Sequence, residues 1–332
     1  CNIAASGLFE GIGRMGTPTC VALFVNALNA FMDWLFVPGN LGFPALGVEG
    51  AAWASVISSC FGTIVYAGLV LRPKFRRLYI SKSFRLPGGR ALWAFLKVGV
   101  PQAISWFLES SLWAAFILLV NGLGTVVASA QQVAMSILHF AFLPGMAIST
   151  ATTTLVGQAI GEKKLDEAQR VFRCSVGLTV GYMGAVGIGF LLFRDALLGI
   201  FTDNVSVIQV GRAILFFAAF WQVFDGLYIA SVGALRGAGD TVYPAIIYLC
   251  AGWFLFMPCA YLVTRVLRWG VTGAWGAAAT FIALAGILAA LRWWEGKWKS
   301  LGLLVEEATE VSGEAATRSV VEGSAAERGE SG

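Results

Sequence analysis

The chain has 332 residues and a net charge of +4, and 58% of its residues are hydrophobic while only 13% are charged. Its mean hydropathy of +0.75 is typical of integral membrane proteins and excludes an ordinary soluble domain. One histidine and six cysteines without a CxxC pair exclude a His/Cys zinc site, and no cofactor is predicted.

Eight apolar segments are long enough to cross a bilayer, which takes about 20 residues in a helix. In chain order they are residues 17–38, 44–71, 97–120, 126–160, 170–193, 207–235, 241–264 and 270–294. Their apolar runs are continuous and do not alternate with a period of two, so they predict helices and not barrel strands. The predicted fold class is therefore an all-α integral membrane protein with eight spanning helices.

The segment before the first span is repeated later in the chain. Residues 3–18 align without gaps with residues 229–244, and the matches are Ile3/Ile229, Ala4/Ala230, Gly7/Gly233, Gly11/Gly237, Gly13/Gly239 and Pro18/Pro244. A second match pairs Gly47–Ala54 with Gly270–Ala277. Internal repeats are typical of transporters built from two related halves. By symmetry we expect a twelve-helix parent, of which this chain would carry a stub of the fourth helix and the last eight.

Two of the spans contain a single carboxylate near their midpoint. Glu109 is the only charge within residues 98–120, and Asp225 is the only one within residues 213–235. A charge at the bilayer centre costs about 2.5–3.5 kcal/mol on insertion scales, so such residues usually have a function. Neither span offers a Lys or Arg partner. Two acids at one depth predict a shared site for a proton or Na⁺, and the alternative is a pair of structural acids bonded to neighbouring polar groups.

Aromatic and polar residues at the same depth predict a substrate cavity beside these acids. The candidates are Trp106, Phe107, His139, Gln222 and Phe224. An apolar, aromatic cavity with buried acids would suit lipophilic cations. The alternatives are that the aromatic side chains face lipid and that His139 only packs.

A set of motif residues in the second half of the chain resembles the multidrug and toxic compound extrusion (MATE) family. The motif residues are Pro144, Gly157, Gln158, Gly161, Arg236, Gly237 and Gly239, to which the family assigns structural roles. The resemblance covers residues 3–298 and implies two six-helix lobes and export of drugs in exchange for Na⁺ or H⁺. Its NorM-like bacterial branch is similar around Glu109 and Asp225, which the resemblance identifies as the cation site, with Na⁺ as one candidate ion.

This resemblance divides the chain into four parts. Residues 1–71 would end the N-terminal lobe, residues 72–96 would form a basic linker, residues 97–299 would form the C-terminal lobe, and residues 300–332 would be a disordered acidic tail. Lys and Arg flanking the spans number 17 on one side and four on the other, so the positive-inside rule predicts cytoplasmic ends in a bacterial inner membrane. The predicted partners are lipophilic cations and membrane lipid, without nucleic acid, and the predicted state is a monomer.

Two other functions fit parts of the sequence. A flippase for lipid-linked sugars would belong to the same superfamily, but it would favour a cationic cavity. An intramembrane aspartyl protease would use Asp225 with Asp240, which follows a Gly-x-Gly turn. The membrane-edge position of Asp240 argues against that pairing.

Overall fold

The computed structural model describes residues 2–14, 16–73, 75 and 89–299, and this part of the chain contains helices and turns but no strand. Eight of its helices are long and apolar enough to cross a membrane, as the sequence predicts. The protein is therefore a multi-pass membrane protein of the all-α class. The predicted tail and most of the predicted linker lie outside the described residues. The chain divides into two compact units, residues 1–86 and 87–332.

The described residues of the first unit form three α-helices. They are α1 (Asn2–Gly11), α2 (Gly16–Phe36) and α3 (Val48–Leu71), with a short 3₁₀ turn before α3. A small core of Phe9, Val21, Tyr66 and Phe75 joins them. The side chain of Asn2 adds polar contacts, because it donates to the Ser59 carbonyl at 3.1 Å and accepts from the Thr63 hydroxyl at 2.8 Å.

The second unit contains seven helices, of which six are spans and α7 is short. They are α4 (Gly89–Asn121), α5 (Thr125–Gly161), α6 (Leu165–Leu192), α7 (Arg194–Gly199), α8 (Val205–Gly237), α9 (Val242–Val266) and α10 (Gly270–Trp294). Helix α8 lies at the centre and packs against α5, α6 and α10. The core of this unit is built around α8 and is continuous from α4 to α10.

Along the seam between α5 and α8, side-chain hydroxyls of α5 form hydrogen bonds with backbone carbonyls of α8. The Ser149 hydroxyl donates to the Ile229 carbonyl at 2.9 Å, and the Thr153 hydroxyl donates to the Gly233 carbonyl at 2.8 Å. Gly233 and Gly237 form a Gly-x-x-x-Gly pair on α8, and a Cβ atom at Gly233 would lie 2.6 Å from the Ser149 hydroxyl oxygen. Small residues therefore allow close approach of the two backbones, as is usual between membrane helices.

The internal repeat predicted from the sequence has the same turn in both copies. Gly13 follows α1 with φ 76°, and Gly239 follows α8 with φ 83°. In each copy the next residue donates its backbone N–H to the carbonyl five residues before it, at 2.9 Å: Arg14 to Phe9 and Asp240 to Leu235. This is the Schellman ending, which places glycine in the left-handed region. The two units thus share local geometry as well as sequence.

Three prolines lie within spans and affect their helices differently. Pro101 and Pro144 lie inside helices that continue through them. Around Pro258, helix α9 changes to π-helical turns over Tyr248–Phe256 and again over Leu262–Val266. Proline removes one backbone donor, and a π-turn is one way for a helix to absorb such an interruption. The result is a wider and irregular α9.

Candidate functional site

A cavity of about 370 Å³ lies inside the second unit and contains both predicted acids. Its walls come from α4, α5, α8, α9 and α10. Glu109 projects from α4 and is half-buried, while Asp225 projects from α8 and is 7% exposed. The cavity also exposes polar side chains from four of its helices, namely Ser110, His139, Gln222 and Tyr248.

The two carboxylates lie close enough to interact electrostatically, and each has one polar side chain beside it. Tyr248 lies beside Glu109, and Trp221 lies beside Asp225, from which it is one helical turn away. The Ser111 hydroxyl donates instead to the backbone of its own helix. An ionised carboxylate has about four acceptor positions, so both acids retain capacity for a further cation or donor.

Five of the seven predicted site residues share this cavity. Trp106, His139 and Gln222 line it together with the two acids. Phe107 and Phe224 do not line it, which corrects the predicted set. Phe107 is 71% exposed, and Phe224 packs against the core. Each helical residue turns the side-chain direction by about 100°, so neighbours of a cavity residue point elsewhere.

Two further lining residues, Tyr248 and Trp275, were not among the predicted site residues. Tyr248 and Trp275 come from α9 and α10, whose spans contain no charge near the middle to mark them. The amide nitrogen of Gln222 and the indole nitrogen of Trp275 are buried without a hydrogen-bond partner. Only the packing of α9 and α10 against α4 and α8 identifies these residues.

Arg236 supplies a positive charge that was not predicted when each span was considered separately. It lies in the last turn of α8, and its Nε atom is buried without a hydrogen-bond partner. Its charge interacts with the Glu109 carboxylate, although Arg236 does not line the cavity. The sequence could have suggested this contact only through the position of Arg236 in the repeated turn.

Six aromatic side chains pack together beside the cavity, and Trp113, Trp221 and Trp275 among them line it. The six are called the aromatic wall below: Trp113, Phe116, Trp221, Phe256, Trp275 and Phe281. Trp113 and Trp221 meet edge to face with centroids 5.0 Å apart, and Phe256 and Phe281 stack at 5.0 Å. Such pairs stabilise packing beyond the area they bury. The wall therefore gives the acids a rigid apolar boundary.

Asp240 lies apart from this cavity. Its carboxylate accepts from Arg292 Nε at 2.8 Å and from the backbone N–H of Tyr243 at 3.4 Å, and Asp240 is 4% exposed. Since Asp240 is committed to this ion pair and does not line the cavity with Asp225, the two do not form a catalytic dyad. The geometry excludes the protease that was considered from the sequence.

The other motif residues lie outside the cavity. A Cβ atom at Gly157 would lie 3.3 Å from the Gly237 carbonyl oxygen, so this pair belongs to the seam between α5 and α8. Gly161 ends α5, but the left-handed residue of that turn is Lys163, with φ 61°. Pro144 and Gln158 lie within α5.

A metal site made of side chains is not formed in the described ranges, because no group of three or more His, Cys, Asp or Glu is close enough. A monovalent cation has different needs. The cavity offers two carboxylates with the hydroxyl oxygen of Tyr248 and the amide of Gln222. Hard oxygen ligands of this kind hold Na⁺ in transporter sites at mid-membrane depth.

Comparisons with known proteins agree with this architecture. Residues 101–262 match the family model MatE. "Probable multidrug resistance protein NorM" of Thermotoga maritima is 31% identical over 306 residues, which are 91% of this chain and 65% of the relative. "Multidrug resistance protein NorM" of Aliivibrio fischeri is 33% identical over 279 residues, which are 80% and 59% respectively. The chain thus spans less than two thirds of the length of these relatives.

A solved structure gives the same result for the fold. The crystal structure of a mutant of the Vibrio cholerae MATE transporter VcmN superimposes with a TM-score of 0.80 at 18% identity. The match covers 90% of this chain and 67% of that one. Residues 101–262 of the chain therefore carry a MatE domain, the domain of the multidrug and toxic compound extrusion (MATE) family.

Proposed function

We propose that this protein is a secondary active multidrug efflux transporter, which exports lipophilic cations in exchange for Na⁺ or H⁺. The observation that carries the proposal is the 370 Å³ cavity that holds Glu109 and Asp225 together and is lined by no Lys or Arg. The relatives named as multidrug resistance proteins support the same activity.

In this mechanism the two carboxylates bind a coupling cation or a cationic substrate in alternation. Both ligands are attracted by the same negative charge, so binding of one disfavours the other. The aromatic wall and Trp106 offer apolar and cation–π contacts to a lipophilic cation. Alternating access then exposes the cavity to the two sides of the membrane in turn.

A flippase for lipid-linked sugars is the weaker candidate. Its substrate carries anionic phosphate groups, which would need basic residues in the cavity. The cavity lining has two acids instead, and Arg236 lies outside that lining. Charge therefore favours export of cations.

We further propose that the protein acts as a monomer in a bacterial inner membrane, with Lys164 and the other basic flanking residues on the cytoplasmic side. The excess of Lys and Arg on that side supports this orientation.

The test replaces each acid by its neutral isostere in the natural protein reconstituted in vesicles. We expect Glu109→Gln and Asp225→Asn each to reduce efflux of ethidium, driven by a Na⁺ or H⁺ gradient, to the level of empty vesicles. The two gradients applied separately identify the coupling ion. Glu162→Gln is the matched control, because Glu162 is an exposed acid in the turn between α5 and α6. Efflux equal to that of the unchanged protein in both acid variants would refute the site.

A further inference from the structure

A second and larger cavity lies on the other side of the aromatic wall, in the second unit. It has a volume of about 860 Å³ and lies between α8, α9 and α10, and we call it the α9–α10 groove. Phe217, Leu255, Phe256, Gly276 and Leu284 are among its lining residues. It contains no charged side chain.

The polar groups of the α9–α10 groove are already satisfied. The Thr272 hydroxyl donates to the Trp269 carbonyl at 2.8 Å, and the Thr280 hydroxyl donates to the Gly276 carbonyl at 2.9 Å. Apart from the indole N–H of Trp269 at one end, only the weakly polar thiol of Cys259 remains. Because a bound polar group would find no partner there, the groove accepts hydrocarbon.

The shape of the α9–α10 groove follows from local sequence. The π-helical turns make α9 irregular along the groove, and Gly276 adds no side chain to the α10 side of the lining. The groove far exceeds the ~150 Å³ apolar cavity that holds one benzene molecule. Leu255, which lines it, is 51% exposed, so the groove is open on the outer surface of the second unit.

One end of the α9–α10 groove carries an interfacial aromatic residue, and two arginines precede it in sequence. Trp269 lines the groove and is 64% exposed. Arg268 is the preceding residue and is exposed, while the guanidinium of Arg265, one turn earlier, lies beside Gly122 at the end of α4. Neither arginine has an ion-pair partner among the described residues. Tryptophan and arginine beside an apolar surface are typical of the headgroup region of a bilayer.

The backbone of Arg268 adds an independent observation. Its φ angle is 57°, in the left-handed region where glycine is favoured and a long side chain is strained. The chain turns here from α9 into α10, and a glycine would make that turn without strain. A strained arginine at the mouth of an apolar groove suggests that its charge has a use.

We propose that the α9–α10 groove binds one anionic phospholipid. An acyl chain lies along the apolar lining, and the phosphate group pairs with Arg268 and secondarily with Arg265. Trp269 lies at the boundary between the two parts of the lipid. This site is separate from the cavity of Glu109 and Asp225 and does not depend on the proposed efflux activity.

The experiment measures lipid retained by the full chain in a mild detergent, by native mass spectrometry, after equal amounts of phosphatidylglycerol and phosphatidylcholine are offered. We expect one phosphatidylglycerol per chain, retained in preference to phosphatidylcholine. Arg268→Gly should lower phosphatidylglycerol retention about fivefold, and adding Arg265→Gln should lower it further, up to about thirtyfold. Phosphatidylcholine should be affected less.

The melting temperature and further variants distinguish a loss of lipid binding from a loss of folding. Arg268→Gly should leave the melting temperature unchanged or raised, since glycine relieves the strained turn, so a loss of lipid there cannot be a loss of folding. Gly276→Leu or, as a second choice, Thr280→Leu fills the groove and should remove both lipids. Arg194→Gln changes an exposed arginine away from the groove and should retain lipid as the unchanged protein does.

Equal retention of the two lipids by the unchanged protein would overturn the proposal. Full retention of phosphatidylglycerol by Arg268→Gly with Arg265→Gln, or by folded groove-filling variants, would overturn it as well. Because no transport is measured, a failure here leaves the proposed efflux function unaffected.

Discussion

At the scale of single residues, the candidate site depends on what surrounds each carboxylate. Asp225 is buried deeper than Glu109, and the charge of Arg236 acts on Glu109. The two acids are therefore not equivalent, although the sequence places both at the midpoint of a span. Tyr248 is the residue through which α9 enters this arrangement, since it lines the cavity beside Glu109.

The first prediction concerns Tyr248→Phe. Phenylalanine keeps the ring contacts with Tyr228 and Phe281, both at 5.8 Å, but removes the hydroxyl group beside Glu109, which is one neutral oxygen of the cavity. Hydrogen bonds to charged groups contribute about 1.5–3 kcal/mol, so we expect the ion concentration for half-maximal efflux to rise about tenfold or more. Vesicle efflux at varied Na⁺ and pH measures it.

Tyr182→Phe on α6 is the control for this change, because Tyr182 does not line the cavity. An unchanged ion dependence in Tyr248→Phe would show that the hydroxyl has no part in ion binding. A loss of folded protein, seen by circular dichroism, would instead assign Tyr248 a structural role.

At the scale of the helices, α8 organises the second unit. It carries Asp225 and packs closely against three neighbours through glycines. Gly233 and Gly226 of α8 face α5 and α6, and Gly286 of α10 faces the Phe224 carbonyl of α8. Association of helices in a membrane depends on close packing and not on apolar burial, so these contacts fix where the acid points. The geometry of the site is thus a consequence of the α8 seams.

The second prediction compares two Gly→Ala changes. A Cβ atom at Gly233 would lie 2.6 Å from the Ser149 hydroxyl oxygen and 2.8 Å from its carbonyl oxygen, so Gly233→Ala must separate α5 from α8. Overpacking of this kind costs about 1–3 kcal/mol. Gly181 lies in α6 with open space around it, and Gly181→Ala should be neutral or slightly stabilising. Thermal unfolding in detergent measures the stability of both variants. Equal melting temperatures would contradict the close packing of α5 against α8 at Gly233.

At the scale of the whole molecule, the main features of the chain are its internal repeat and the distribution of its basic residues. Both units contain the same Schellman turn, and a left-handed glycine comes at the start of the later helix in each, Gly47 and Gly270. Basic residues collect at one set of helix ends. The distribution of basic residues predicts which ends of the helices face the cytoplasm, and this orientation can be tested.

The third prediction tests that sidedness with cysteines introduced in exposed loops. In a variant without natural cysteines, Asp203→Cys should react with a membrane-impermeant maleimide applied to intact cells, and Glu162→Cys should react only after the cells are opened. Both positions are exposed, so accessibility within the protein is matched. Labelling of Glu162→Cys in intact cells would reverse the proposed orientation.

The amino-acid sequence by itself determined the spans, the repeat and the two acids. Apolar runs of bilayer length must become helices, because a backbone in lipid has to satisfy its own hydrogen bonds. A lone charge in such a run is costly wherever the helix packs, so Glu109 and Asp225 stand out without a structure. The repeated glycines mark turns whose φ angles follow from local geometry.

Only the tertiary structure decided which residues share the cavity. Phe107 and Phe224 are neighbours of site residues in sequence but point away from it, whereas Tyr248 enters from a span with no charged signal. Arg236 acts on Glu109 from another helix, and the α9–α10 groove lies where α8, α9 and α10 meet. These facts depend on the rotation and contact of whole helices, and every apolar helix in a membrane offers several faces that lipid would accept equally well.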